Sequence, residues 1–93
     1  MSVMVRVPGA LRADAGGAST LEIDSPGDTL GAILDDIGKR WPKLERRIRD
    51  EQGELRRFVN VYVDGEECRR VAGLATPVPD QSEVLIVPSV AGG

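Results

Sequence analysis

An apolar stripe near the middle of the chain constrains its fold more than any other feature. The stripe repeats at helical spacing and consists of Leu30, Ile33, Leu34, Ile37 and Trp41. This spacing predicts an amphipathic helix whose single apolar face must be buried against a second layer of structure. Asp28 or Thr29 is expected to cap the start of the helix. Pro42 is expected to end it near Trp41, because proline cannot donate the next hydrogen bond of the helix.

Runs in which apolar and polar residues alternate supply the second layer. Residues 3–7, 19–24, 58–63 and 83–87 each show a period of two, which predicts half-buried β-strands. The side chains expected to point inward are Val3, Val5, Val7, Leu21, Ile23, Val59, Val61, Val63, Val84 and Ile86.

The segments between these elements carry turn signals and one further helical pattern. Residues 43–50 are predicted to form a short second helix, and residues 11–18 to form a loop with a turn at its two glycines. Asp64-Gly65 predicts a tight turn, followed by a short strand that runs through Cys68 to Val71. Residues 73–79 contain two prolines and are predicted to be irregular or a 3₁₀ turn.

The order strand, strand, helix, strand, short strand, strand predicts an α+β fold. A compact solution is a mixed sheet of about four to five strands with one main helix packed across one face, which is the β-grasp arrangement. Residues 1–87 would form this single domain.

The composition limits the chemistry that the chain can perform. The lone Cys68 cannot form an internal disulfide and fits a reducing cytoplasm. The sequence contains no histidine to activate a nucleophile or to complete a metal site, so we expect neither a catalytic centre nor a bound metal. The net charge of -3 argues against nucleic acid as the main partner. No run approaches the roughly 20 apolar residues of a membrane span, and we expect a monomer when the protein is alone.

Clustered charges suggest binding or catalysis, but each cluster has a simpler interpretation. The basic cluster could steer an acidic partner, and it consists of Arg46, Arg47, Arg49, Arg56 and Arg57. Interleaved carboxylates favour a solvated, salt-bridged surface instead. The acidic pairs at residues 35–36 and 66–67 are expected to be exposed carboxylates, and Cys68 a residue at the end of a strand.

The last six residues, Pro88-Ser89-Val90-Ala91-Gly92-Gly93, follow the final alternating run and form a predicted flexible tail over 88–93. Glycine has no Cβ, so this end can extend through a channel too narrow for side chains. Fully extended, the tail would reach about 18–20 Å. The Gly93 carboxylate could therefore enter the active site of another protein. A frayed terminus without function is the alternative.

The residues that lead into this tail carry a resemblance to a known family. The shared positions include Gly27 to Ala32, Arg57 to Val63, Gly73 to Thr76, and an ending made of Asp80, Val84, Ile86, Pro88 and Val90 to Gly93. This pattern resembles the ubiquitin-like sulfur carrier proteins of the ThiS/MoaD superfamily, and most closely their actinobacterial CysO type. The resemblance extends over essentially the whole chain. It implies a β-grasp fold with the first and last strands adjacent and parallel.

The resemblance also implies a function in which the chain is a substrate rather than an enzyme. An ATP-dependent enzyme would adenylate the Gly93 carboxylate, and a sulfur donor would convert it to a thiocarboxylate. For CysO-like carriers the acceptor is a pyridoxal-phosphate cysteine synthase, and a zinc peptidase then releases cysteine. ATP, the sulfur donor, pyridoxal phosphate and zinc would belong to these partners, and this chain would bind no cofactor.

Positions in the sequence can be assigned to these roles. Gly93 would carry sulfur, and Gly92, Ala91 and Val90 would thread into the partner. The partner would dock on the outward side chains of the sheet, for which strand alternation selects Val87, Leu85, Phe58, Tyr62 and Met4.

Other functions use the same features and remain open at this stage. Sulfur could go to molybdopterin, with the chain as the small subunit of a synthase, or to thiamine thiazole or a thiosugar. A ubiquitin-like modifier would instead join Gly93 to lysines of other proteins, and a plain interaction domain would not need Gly93.

Overall fold

The computed structural model describes residues 2–24 and 27–88, which form five strands and two α-helices joined by 3₁₀ turns. The strands are β1 (Ser2–Arg6), β2 (Thr20–Asp24), β3 (Val59–Val63), β4 (Glu66–Glu67) and β5 (Glu83–Pro88). The helices α1 (Leu30–Arg40) and α2 (Pro42–Ile48) lie between β2 and β3.

The strands form one mixed sheet in the order β2-β1-β5-β3-β4. β1 and β5 are parallel neighbours at its centre, and the other pairs are antiparallel. This topology confirms the predicted β-grasp fold and the predicted contact between the first and last strands. Because β5 is central, both of its edges are hydrogen-bonded, and it is the strand that carries the chain toward residues 89–93.

The apolar stripe of α1 covers the inner face of the sheet. Leu30, Ile33, Leu34 and Ile37 are all completely buried, as are the inward side chains at the centre of the sheet. Thr29 caps the helix, because its Oγ1 accepts a hydrogen bond from the Ala32 amide at 3.2 Å. The helix ends at Arg40 and α2 begins at Pro42, as the proline predicts.

Two connecting segments differ from the predictions. Residues Gly9–Ala15 form a 3₁₀ helix rather than a loop. The Leu11 amide donates to Pro8 O at 2.9 Å, and the helix buries Leu11 and Ala15 in the core. The turn that follows is as predicted, with positive φ at Gly16 and Gly17.

The predicted strand through Cys68 to Val71 is also wrong beyond its first residues. β4 contains only Glu66–Glu67, and Cys68–Arg70 form a 3₁₀ turn. The Glu67 carboxylate accepts a hydrogen bond from the Arg69 amide at 2.8 Å and so caps this turn. The turn buries the Cys68 side chain while Arg69 and Arg70 stay at the surface.

Candidate functional site

The central strand β5 delivers the chain to one edge of the sheet. Pro88, its last residue, pairs with Val59 at the start of β3. β5 therefore extends one residue past the predicted body of residues 1–87. Gly93, Gly92, Ala91 and Val90 lie outside the described residues, so their predicted roles stay predictions.

The outward side chains of the sheet surround this strand. Leu85 lies between Arg6 of β1 and Tyr62 of β3, and Val87 lies opposite Asn60. Leu85 is 37% exposed and Met4, on β1, is 39% exposed. Tyr62 and Val87 are half-buried. The structure thus places four of the five predicted docking side chains on the outer face of adjacent strands.

Phe58, the fifth predicted docking residue, lies just before β3 rather than within it. It is 52% exposed, more than any other large apolar side chain in the part of the chain that the structure describes. It lines a shallow cavity of about 470 Å³ together with Asp50, Arg56, Arg57, Val59 and Pro88. The predicted docking face therefore extends to the point where β5 ends.

Two arginines on or beside the outer face are engaged with protein acceptors. Arg6 Nε lies 2.7 Å from Glu83 Oε2, and both side chains are more than half exposed. Arg69 was not predicted from the sequence, yet its guanidinium reaches three acceptors near the start of β3. Nη1 donates to Val59 O at 2.9 Å and to Asn60 Oδ1 at 3.0 Å, and Nη2 donates to Arg56 O at 2.8 Å.

Comparison with known proteins identifies the family of this chain. Residues 5–93 match the ThiS family, so the match includes every predicted site residue except Met4. The chain belongs to the ThiS family.

Individual relatives match the chain along most or all of its length. Sulfur carrier protein CysO of Mycobacterium tuberculosis is 41% identical over 95 residues, which cover all of both chains. A chain in the crystal structure of the Amycolatopsis orientalis BexX/CysO complex is 37% identical, with a TM-score of 0.86, over 98% of this chain and 99% of its own length. Small archaeal modifier protein 1 of Haloferax volcanii is 37% identical over 82 residues, which cover 87% of this chain and 90% of its own. These similarities support the predicted sulfur carrier type.

The basic cluster in this ThiS family member is only partly the solvated surface predicted from the sequence. Arg47 pairs with Asp14 at 3.1 Å and stays exposed. The Arg49 side chain is only 11% exposed and lies 2.8 Å from Asp35 and 2.7 Å from Glu45. Burial alone would lower the pKa of Arg49, but the hydrogen bonds to both carboxylates raise it above its ordinary value. Arg49 thus joins α1 and α2 through two ion pairs, so the predicted salt bridging is present, but the Arg49 side chain is not solvated as predicted.

Residues 2–24 and 27–88 were compared with the requirements for a metal-binding cluster and for a membrane-spanning helix. No group of three histidine, cysteine or acidic side chains in these ranges could hold a metal ion. No helix there has the length and apolar character needed to cross a membrane.

Cys68 is fully buried at the start of its 3₁₀ turn. Burial raises the pKa of its thiol above the ordinary value, and the neighbouring Glu67 carboxylate raises it further. A buried thiol that stays protonated is a poor nucleophile. This geometry favours a structural role for Cys68.

The raised pKa predicts that Cys68 makes the stability of the protein fall at high pH. Above about pH 8.5 the unfolded thiol loses its proton while the folded thiol keeps it, so the free energy of unfolding decreases as pH rises. We expect wild-type protein to lose stability more steeply than Cys68→Ala between about pH 8.5 and 10, by at most about 1.4 kcal/mol per pH unit. Urea unfolding at a series of pH values measures both slopes. Parallel curves would show that the thiol ionises equally in both states.

Proposed function

We propose that the protein is a sulfur carrier whose Gly93 carboxylate is converted to a thiocarboxylate by an ATP-dependent activating enzyme. The observation that carries this proposal is the 41% identity with Mycobacterium tuberculosis CysO along the full length of both chains. The position of β5 supports it, because this strand pairs with β1 and with β3 and brings the chain to the edge of the sheet at Pro88, from which residues 89–93 follow.

Activation is required because a carboxylate is a poor electrophile, and at neutral pH an α-carboxyl is ionised, with a pKa of roughly 3.3–3.7. In the proposed reaction a Gly93 carboxylate oxygen attacks the α-phosphorus of ATP, which forms an acyl-adenylate and releases pyrophosphate. Sulfide sulfur then attacks the acyl carbon, the bond to the phosphate oxygen breaks, and AMP leaves. The thiol proton passes to solvent, which leaves a C-terminal thiocarboxylate.

In this scheme the chain is a substrate. Its own residues bind the partner enzyme and bring the Gly93 carboxylate to the active site, and they do not catalyse the reaction. The outer face around Leu85 and Tyr62 would hold the partner, while Ala91 and Gly92 would thread into its active site. ATP and the sulfur donor would be bound by the activating enzyme. The absence of histidine from the sequence fits this division of labour.

Cysteine biosynthesis is the destination best supported for the sulfur, because of the similarity to CysO. The acceptor would be a pyridoxal-phosphate cysteine synthase, where the thiocarboxylate sulfur attacks an aminoacrylate and a zinc peptidase later releases cysteine. All of these partners would be cytoplasmic. Sulfur transfer to a molybdopterin synthase, to thiamine thiazole or to a thiosugar uses the same carrier chemistry.

Protein modification is the second candidate, favoured by the 37% identity with Haloferax volcanii small archaeal modifier protein 1. A modifier would use the same acyl-adenylate but would transfer Gly93 to lysine amines. Both functions therefore begin with adenylation of the Gly93 carboxylate. They differ in the nucleophile that then attacks the acyl carbon, which is sulfide for a carrier and a lysine amine for a modifier.

Incubation with ATP, sulfide and the adenylating enzyme of the same organism is expected to raise the intact mass by roughly 16 Da, because sulfur replaces one oxygen of the carboxylate. Fragmentation should place the added mass on Gly93, and omission of ATP should prevent it. High-mass conjugates in cell extracts, lost together with Gly93, would instead indicate a modifier. An unchanged mass in the complete reaction would refute the sulfur carrier function.

A further inference from the structure

A turn just before β3 lies next to Pro88, the last residue of β5. It places a cationic side chain and an aromatic ring beside the start of the tail. The Val59 amide donates to Arg56 O at 3.1 Å, which closes a turn over residues 56–59. Arg57 and Phe58 occupy its two central positions, and both are exposed. Together with Pro88 they line the same cavity. We call Arg57, Phe58 and Pro88 the tail-root surface.

The turn is held in place by contacts that leave its two central side chains available. The Arg56 amide donates to Ile48 O at 2.9 Å, and Arg56 Nε donates to Arg46 O at 2.7 Å. Arg69 fixes the other end through its bonds to the carbonyl oxygens of Arg56 and Val59. A surface that is already ordered loses little conformational entropy when a partner binds it.

The Arg57 guanidinium at the tail-root surface has no ion-pair partner among the described residues. Asp50 lines the cavity, but its Oδ1 already accepts hydrogen bonds from the amides of Gln52 and Glu54, at 2.9 and 3.0 Å. The lining carries the two positive charges of Arg56 and Arg57 against the single negative charge of Asp50, so an excess positive charge lies beside an exposed ring, in a chain whose net charge is -3.

We propose that the tail-root surface docks a segment of the activating enzyme in which a carboxylate is adjacent to an apolar side chain. The carboxylate would pair with the Arg57 guanidinium, and the apolar side chain would cover Phe58 and Pro88. Arginine and aromatic residues are the side chains that dominate binding energy at protein interfaces. This proposal rests on the sulfur carrier function and adds the chemistry of the partner that recognises the carrier.

The position of the surface gives it a specific effect on the reaction. Only five residues separate Pro88 from the Gly93 carboxyl, which corresponds to about 17–18 Å of extended chain. Contact at Pro88 fixes the start of this segment, so the carboxyl searches a small volume around the active site. A contact on a distant face of the same folded body could leave Pro88 farther from the active site than five extended residues can span.

Steady-state thiocarboxylate formation with the adenylating enzyme of the same organism tests this docking. We expect Arg57→Glu to raise the KM for the carrier roughly tenfold and to change kcat less than about twofold, because the lost contact acts mainly in binding. Phe58→Ala should raise KM in the same way. The control is Lys43→Glu, which makes the same change of charge at an exposed position of α2.

Salt dependence and folding measurements complete the test. Wild-type KM should rise with ionic strength, and Arg57→Gln should reduce that dependence. Thermal unfolding of each variant checks that the fold is retained, and Arg57→Gln gives a second test if the charge reversal perturbs the turn. Equal KM values for wild-type, Arg57→Glu and Phe58→Ala would overturn the docking proposal alone. Failure of the wild-type chain to be activated at all would overturn the sulfur carrier function, and the docking proposal with it.

Discussion

Deletion of Gly93 is expected to abolish thiocarboxylate formation and to leave the stability of the folded body unchanged. The new terminal carboxyl, on Gly92, would lie about 3.3–3.6 Å short of the reacting position. A displacement of about 1 Å from reactive geometry already costs on the order of 100-fold in rate. We therefore expect a loss of at least about 1,000-fold, measured as the rate of the mass gain at saturating ATP and sulfide.

Two variants separate the position of the carboxyl from the composition of the tail. Gly93→Ala keeps a terminal carboxyl at the same distance and adds one methyl group, so it should retain more activity than the deletion. Gly92→Val keeps the length but introduces a branched side chain where threading requires a narrow tail. Efficient sulfur delivery by the protein that lacks Gly93 would show that the reactive group lies elsewhere in the chain.

The parts of the fold that depend on local pattern were predictable from the sequence. Helix α1 has its apolar residues on one stripe and a proline just beyond its end, and both features act within a few residues. The inward valines of β3 follow equally from alternation. The order of strands in the sheet does not follow from these patterns, because a period of two fixes which face is buried but not which neighbour pairs. The parallel contact of β1 and β5 came from the family resemblance.

The features that the sequence did not predict depend on contacts between distant residues. Leu11 and Ala15 are four positions apart, as on one face of a helix, but a single such pair is too short a pattern to predict a helix from the sequence. Arg49 looks like its solvated neighbours in sequence, but α1 brings Asp35 beside it. Arg69 has no local signal for its bonds to the start of β3, since the acceptors lie 9 to 13 positions away.

The candidate site shows the same division between local and distant information. Alternation placed Met4, Leu85, Tyr62 and Val87 on the outer face, because side-chain direction in a strand is a local property. Phe58 was expected within β3, but the hydrogen bond between Val59 and Arg56 places it in a turn. Arg57 was grouped with the basic cluster by sequence proximity, and only the position of Pro88 relates it to the tail.

Ile86→Ala and Leu85→Ala are expected to have opposite consequences, although the two residues are adjacent in β5. Ile86 is fully buried at the centre of the sheet, so its truncation leaves a cavity and should lower the free energy of unfolding by about 2–5 kcal/mol. This is a large share of the roughly 5–15 kcal/mol that stabilises a typical domain. Leu85 is on the outer face and partly exposed, so its truncation should cost less than about 1 kcal/mol.

The effects on partner recognition should be reversed. Leu85→Ala removes a predicted docking side chain and should raise the KM for the carrier, whereas Ile86→Ala, assayed at a temperature where it is folded, should keep a near wild-type KM. Urea unfolding and steady-state thiocarboxylate formation measure the two properties on the same samples. If Leu85→Ala lost stability without any change in KM, the outer face of β5 would be structural. The partner would then have to bind the carrier through the tail-root surface and the tail alone.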